Sequence, residues 1–322
     1  MNYKIKKISG DASFREFYRV KKNKKSSIIV VANKDKNKNL FVYCAVNEIL
    51  NRNRILAPKL INDYSHKNII EITDLGKTSF LDFIKTKKNK TKEYKKLIDL
   101  INKMQKIKFK KIYNFKNKKI KFETYSIKNL HKESDLFFDW YLKLWKNIKK
   151  FSIIKSIIKK ELNLIYKKLY FKNNYFTHRD FHVSNIMISK NKIGLIDSQD
   201  AVIGNPLYDV ASLIDDVRIV IPKKVQDELF NYYFAKSRFK KKDKLNFKND
   251  FDILSVQRNL KILGIFVRLF KRDKKSNYLR YLPYTWSLIE RRMKNPIFHK
   301  LSTLMKKYLQ LKKIKKLKSY EN

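Results

Sequence analysis

The sequence predicts an α+β protein: a small N-terminal antiparallel sheet lobe over residues 1–76, then a larger, mostly helical C-terminal lobe over 77–322. Three observations lead there. Five short stretches before residue 76 alternate apolar and polar positions and enclose one helix-like stretch. From residue 79 onward the apolar spacing is mostly helical. A single strand–turn–strand pattern, centred on Lys190-Asn191, interrupts the helical part.

Residues 3–8 read as the first strand, Gly10-Asp-Ala-Ser13 as a turn, 14–20 as the second strand and 27–32 as the third. Residues 40–51 form a helix with Phe41, Cys44, Ala45, Ile49 and Leu50 roughly on one face. Residues 59–63 and 68–73 supply two more strands and end at Asp74-Leu75-Gly76. The stretch 79–169 is helical, with lysine-rich interruptions near 85–92 and 106–121. Residues 181–189 and 192–196 make the short hairpin, and after Pro206 the chain is helical nearly to its end. There is no internal repeat.

With 322 residues and 43% hydrophobic content the chain can bury a real core. Its one cysteine, Cys44, excludes a disulfide scaffold and a cysteine-based zinc site, and suits a reducing compartment. The opening MNYKIKKISG has no apolar signal region, and no apolar run approaches the ~18 residues of a membrane span. The expectation is a soluble cytoplasmic protein with no membrane span. The net charge of +48 comes from 64 Lys and 13 Arg against 29 acidic residues. Lys, Asn, Ile, Phe and Tyr abound while Gly and Pro number five each, the signature of A/T-rich codons. The basic residues are scattered, so the charge reads as a drifted, solvated surface. No specific nucleic-acid partner is expected, although such a surface attracts polyanions nonspecifically. The tail 306–318 reads as a solvated last helix, with a membrane-surface helix as the competing reading.

The exceptions to this bias are informative. Residues 193–217 contain no Lys or Arg, where the chain average gives about six, yet they hold Asp197, Asp200, Asp209, Asp215 and Asp216. The surviving glycines, at 10, 76, 194, 204 and 264, mark positions that need positive φ or close backbone approach.

The chemistry centres on His178-Arg-Asp180-Phe-His-Val-Ser-Asn185, followed by Ile-Gly-Leu-Ile-Asp197. Phosphoryl transfer to a hydroxyl needs a carboxylate near the nucleophile and a divalent metal across the phosphates. Asp180 and Asn185, five apart on a loop, supply one side chain to each. Asp197, at the end of the hairpin, completes an oxygen-rich set of the kind Mg2+ prefers. The spacing is that of a kinase catalytic loop with its downstream metal-binding Asp. His178 reads as a structural brace; His182, four residues on, has no third His or Cys nearby and makes no zinc site.

These residues, with Ile196–Asp200 and Gly204-Asn-Pro-Leu-Tyr-Asp209, resemble the aminoglycoside phosphotransferase-like kinases, a superfamily with a protein-kinase-like two-lobed fold. The resemblance implies that Asp180 is the catalytic base, that Asn185 and Asp197 hold magnesium, and that Asp209 braces the catalytic loop. Within that superfamily, Gly10-Asp-Ala-Ser-Phe-Arg15, Thr73-Asp-Leu-Gly76, Asp197-Ser-Gln-Asp-Ala201 and the late stretch 257–268 resemble the bacterial anomeric kinases for N-acetylmuramate and N-acetylglucosamine. The implied partners are ATP, Mg2+ and a small sugar in cell-wall recycling.

Around the nucleotide, the backbone of Gly10, Asp11, Ala12 and Ser13 can cap phosphates, with a plain hairpin turn as the alternative. Backbone groups near Thr73, Asp74 and Leu75 are expected at the adenine. Glu48 is placed like the helix Glu that pairs with a phosphate-binding Lys, and reads equally as a surface carboxylate. Two departures stand out. The third strand has no internal Lys, leaving Lys34 or Arg15 to supply that charge, and Ser198 replaces the usual Phe after the metal-binding Asp. Asp200, Arg258 and Lys261 are candidate substrate contacts. An aminoglycoside, choline-like or homoserine acceptor keeps the same chemistry; a basic binding protein on a kinase-like fold would have no need of the three acidic-loop residues together.

Overall fold

The computed structural model describes residues 3–8, 15–23, 25–32, 38–108, 111–144, 151–309 and 311. The turn expected at Gly10, Asp11, Ala12 and Ser13 lies outside them, as do Lys34 and residues 312–322. Backbone contacts sort the chain into two compact units, Met1–Glu123 with Tyr175–Ile203, and Thr124–Asn174 with Gly204–Asn322.

The first unit opens with β1 (Tyr3–Ile8), β2 (Glu16–Lys22), β3 (Lys25–Val31), α1 (Lys38–Arg52), β4 (Leu60–Tyr64) and β5 (Ile69–Thr73). The strands form one antiparallel sheet in the order β1-β2-β3-β5-β4. Its register follows from alternation. Ile28 and Val30 on β3 lie opposite Ile72 and Ile70 on β5, and all four are buried. Burying each such side chain contributes about 1.5–3 kcal/mol, and a one-residue slip would turn the whole set to the other face. Helix α1 buries Leu40, Tyr43, Cys44, Val46 and Leu50. Burial pushes the Cys44 thiol up to about 12, so it packs as an inert apolar group. The second strand starts at Glu16, two residues later than the alternation suggests, because its ladder begins opposite Val31.

The unit continues with α2 (Phe80–Lys85) and α3 (Lys90–Gln105), started by Ser79 and Asn89, whose side chains accept from the N–H groups of Asp82 and Lys92. Then come β6 (Ile112–Phe115), β7 (Lys118–Lys121), β8 (Tyr175–Thr177), β9 (Ile186–Ser189), β10 (Lys192–Leu195) and β11 (Val202–Gly204), which lies beside β8. Two expectations are corrected here. The lysine-rich interruption near 106–121 holds a β-hairpin, turning at Lys116 and Asn117 with φ of 44° and 60°. That is the geometry of a two-residue hairpin turn. The strand expected from 181 begins only at Ile186, because Val183–Asn185 closes a 3-10 turn.

The second unit is helical: α4 (Ile127–Leu136) runs into one turn of π-helix (Phe137–Tyr141), followed by α5 (Phe151–Tyr166), α6 (Tyr208–Ile214), α7 (Lys223–Lys236), α8 (Lys244–Asp273), α9 (Leu282–Arg292) and α10 (His299–Tyr308). Helix α8 is the axis. Residues 250–260 are buried without interruption, on every side of the helix. Gly264 is where α8 passes α4. A Cβ there would sit 2.2 Å from the carbonyl oxygen of Leu136, so only a bare backbone fits. Trp286 of α9 donates to the Tyr141 hydroxyl at 2.6 Å, tying the π-turn to the bundle. Among the described residues, no helix is long and apolar enough to cross a membrane.

Candidate active site

The loop after β8 places the acidic groups by backbone hydrogen bonding. The His182 N–H donates to the Asp180 carbonyl at 3.0 Å, and the Asn185 N–H to the His182 carbonyl at 2.9 Å. The Ile196 N–H, at the end of β10, then bonds the Asn185 carbonyl at 3.0 Å. Those bonds bring Asp180, Asn185 and the β10 exit, where Asp197 sits, into one neighbourhood of the first unit. Two residues in it hold left-handed backbone without being glycine, Arg179 with φ of 71° and Asp197 with φ of 63°. Such strain is stored where surrounding bonds over-determine it.

The side chains complete the picture. The Asn185 amide donates to the Asp180 carbonyl at 3.1 Å and approaches His182 Nε2 at 3.2 Å. These two contacts hold the Asn185 side chain against the loop that carries Asp180. His182 thereby acquires a part that its sequence did not assign. His178 is fully buried, with its ring edge-on to Phe181.

Enclosure first, and then the charge of Asp180, push the Asp197 carboxyl above the usual carboxylate range, with Arg15 and Gln199 opposing. A carboxyl raised by a neighbouring carboxylate is the electrostatic setting that a bound cation relieves. Among the described residues no three His, Cys, Asp or Glu side chains form a closed metal cage. Mg2+ requires none, because it keeps waters and phosphate oxygens and takes one or two protein ligands. The hard oxygen donors of Asp197 and Asn185 fit it.

Arg15 is buried and lies 3.6 Å from Asp197, with its guanidinium 5.9 Å from the Tyr43 ring. Asp200 sits on the same segment, and its carboxylate and carbonyl lie 3.8 Å and 3.2 Å from Arg179. Among the described residues Glu48 meets no lysine: it pairs with Arg52 on its own helix and accepts from Tyr113 at 3.0 Å. The residue before it reaches the acidic segment instead. Ser198 Oγ donates to Asn47 Oδ1 at 2.7 Å, both side chains buried, so the serine that replaces the usual phenylalanine links the segment to α1.

Asp74 does not present its side chain outward. It accepts two bonds from Arg19 at 2.6 and 3.0 Å, one from Ser26 at 2.6 Å and one from the Gly76 N–H at 2.9 Å. Burial alone would raise its carboxyl, and these bonds outweigh it, leaving the group below the usual range. Thr73 Oγ1 accepts from the Lys59 N–H at 2.8 Å, and Leu75 is buried against β10. At Gly194 a Cβ would lie 2.8 Å from Leu75 Cδ1, so the missing side chain lets the hairpin close on residues 73–76.

Asp209, Arg258 and Lys261 belong to the second unit. Asp209 is buried in the first turn of α6. Lys261 is paired with Glu133 at 3.0 Å. Asp215, one of the five aspartates of the cation-free stretch, is committed to Arg292 with two bonds of 2.7 and 2.8 Å, so that stretch serves packing as well as chemistry. Sequence reasoning missed Asn47, Arg19, Arg179 and Arg292. For Arg292, arginine scarcity was the available signal: among the described residues the buried guanidinium and ammonium side chains are those of Arg15, Arg258 and Arg292, and none is Lys.

The model of the phosphotransferase enzyme family matches residues 4–241. The N-acetylmuramate/N-acetylglucosamine kinase of Pseudomonas aeruginosa is 26% identical over 286 residues, covering 88% of this chain and 81% of that one. The protein of the same name from Neisseria meningitidis is 24% identical over 279 residues, covering 85% and 81%. Among solved structures, spectinomycin phosphotransferase in complex with ADP and spectinomycin superposes with a TM-score of 0.57 at 15% identity, covering 91% of this chain and 90% of that one. At that identity the likeness speaks to the fold alone.

Proposed function

Since the chain belongs to the phosphotransferase enzyme family, we propose that it transfers the γ-phosphoryl group of ATP to the anomeric hydroxyl of an amino sugar, N-acetylmuramate or N-acetylglucosamine. The observation that carries the reaction is the grouping of Asp180, Asn185 and Asp197 on one hydrogen-bonded loop and hairpin. The acceptor rests on relatives of that name matching 85–88% of the chain.

In this reading Asp180 orients the sugar hydroxyl and takes its proton late, because the transition state is loose and the base contributes modestly. An anomeric hydroxyl is more acidic than an ordinary alcohol, which suits a carboxylate base. Asp197 and Asn185 would hold Mg2+, which when bound neutralises charge on the phosphates. Arg15 brings positive charge beside Asp197 at the phosphates. Residues 73–75 offer their backbone to adenine, while the Asp74 side chain holds that backbone in place. His178 and Asp209 keep supporting roles.

The test is incubation with Mg·ATP and a panel of N-acetylmuramate, N-acetylglucosamine, choline, homoserine and kanamycin, read by phosphorus NMR. A sugar 1-phosphate is expected, reduced about 10²–10⁴-fold by Asp180→Asn without loss of fold. Phosphorylation of an amine-bearing acceptor alone would overturn the sugar assignment.

A further inference from the structure

The segment from Asp197 to Asp200 sets two carboxylates on one short turn and places a neutral side chain between them. Asp197 has left-handed backbone, with φ of 63°, and Ser198–Asp200 follows as a single 3-10 turn closed by the Ala201 N–H on the Ser198 carbonyl. The Gln199 amide donates to Asp197 Oδ1 at 3.0 Å and to Asp200 Oδ2 at 3.1 Å. A primary amide has two N–H groups, so both bonds can be made at once. Its oxygen is enclosed and takes no hydrogen bond among the described residues. Leaving an acceptor so costs stability, which points to a purpose in the orientation. The reverse orientation would press that oxygen against two carboxylates, so the neighbours themselves fix which end of the amide faces them.

The other groups around the two acids differ in kind. Asp200 is also met by Arg179, at 3.2 Å from its carbonyl and 3.8 Å from its carboxylate. Arg15 stands 3.6 Å from Asp197, beyond hydrogen-bond reach. Among the described residues, the hydrogen bond that reaches the Asp197 carboxylate is therefore the one from Gln199. A lysine or arginine at 199 could span the same two acids, and the chain has 77 of them. Such a side chain would also cancel the charge that a divalent cation needs. The amide orients without neutralising, which gives the absence of Lys and Arg over 193–217 a local reason.

We propose that Gln199 is a positioning residue for the metal-binding carboxylate: it holds Asp197 in register with Asp200 and preserves the negative charge that draws Mg2+ to the site. This rests on the assignment of Asp197 to Mg2+ made above, and on no particular acceptor. The role is exerted through Asp197, so its signature lies in how far nucleotide binding depends on the cation.

The experiment measures ADP binding by calorimetry, with and without Mg2+, for the full-length wild type, Gln199→Met, Gln199→Lys and Asp197→Asn, with melting temperatures read on the same samples. In the wild type Mg2+ should tighten ADP binding, and Asp197→Asn should remove most of that gain. Gln199→Met, of similar length but without N–H groups, should reduce the gain by about 10-fold or more, the usual effect of losing a group that orients a metal ligand. Without Mg2+ its affinity for ADP should stay within about threefold of wild type, because neither lost bond is made to the nucleotide. Gln199→Lys should lose the gain as well, yet bind metal-free ADP more tightly, since its own charge stands in for the cation's. Gln199→Asn keeps the amide on a shorter arm and should fall between; it carries the comparison if the methionine variant does not fold. A loss in Gln199→Met that is equal with and without Mg2+, or a full Mg2+ gain in that variant where Asp197→Asn has none, would overturn the proposal and leave the metal assignment standing. A wild type whose ADP binding ignores Mg2+, or an Asp197→Asn variant that keeps the full gain, would overturn both.

Discussion

Replacing Arg292 with methionine removes the cation that holds three segments of the helical unit. Its guanidinium makes two bonds to Asp215, at 2.8 and 2.7 Å, lies 3.8 Å from Asp252, and packs 4.7 Å from the Phe251 ring. Asp215 and Asp252 are both 0% exposed. After the substitution Asp215 retains Ser255 and Gln226, and Asp252 retains Lys248 and Asn295, so two buried carboxylates lose their shared cation. Breaking a buried pair in this way costs about 3–5 kcal/mol. With a urea slope near 3 kcal/mol/M, as a chain of this size warrants, the midpoint should fall by about 1–1.7 M. Circular dichroism at pH 7 reads it. The double variant Arg292→Met with Asp215→Leu should recover most of the loss, since an apolar replacement of a buried pair is close to neutral. A single variant that shifts the midpoint by less than about 0.3 M, a cost under ~1 kcal/mol at that slope, would refute the account, as would a double variant no better than the single.

Two further outcomes follow from the first unit. The Asp197 carboxyl is raised in the folded protein by enclosure and by Asp180, so its contribution is complete at pH below the ordinary carboxylate value and is lost as pH rises through the raised one. Asp197→Asn should therefore abolish phosphoryl transfer while making the metal-free protein relatively more resistant to unfolding as pH climbs from 4 to 8; a gap in melting temperature that stays flat across that range would contradict the electrostatic reading. Ser198→Ala leaves the buried Asn47 oxygen without its 2.7 Å donor, at a cost of about 1–3 kcal/mol. Its signature is a weaker Mg·ADP affinity by calorimetry, recovered in part by Asn47→Leu in the same chain, and unchanged affinity in Ser198→Ala would mean that the link to α1 does not hold the acidic segment.

Much of the sheet was legible because strand alternation is local. All five strands and α1 can be traced from apolar spacing, with ends displaced by a residue or two where the ladder partner decides. The hairpin at 112–121 hid inside a lysine run, although its turn carries the same Lys-Asn dipeptide that revealed the turn at 190–191. The acidic loop was legible because its residues lie within 20 positions of one another. What supports it was not. Asn47 and Ser198 are 151 residues apart, and Arg292 and Asp215 are 77 apart. No periodicity encodes such pairs. Glu48 reads two ways from its place on the helix, and among the described residues it meets Arg52 and Tyr113.

The crossing of α4 and α8 has an evolutionary corollary. Composition records a long mutational push toward lysine, asparagine and isoleucine, absorbed by a surface that tolerates almost any of them. Gly264 stands against the Leu136 carbonyl at a distance no Cβ can share. Even alanine, the smallest replacement, would force the two helices apart, and with them the entry to the π-turn and its aromatic neighbours. There is thus no intermediate between glycine and the smallest side chain that leaves the crossing undisturbed. While the exterior wanders, that crossing records how strongly the protein is still needed: a copy released from selection would be expected to lose Gly264 early.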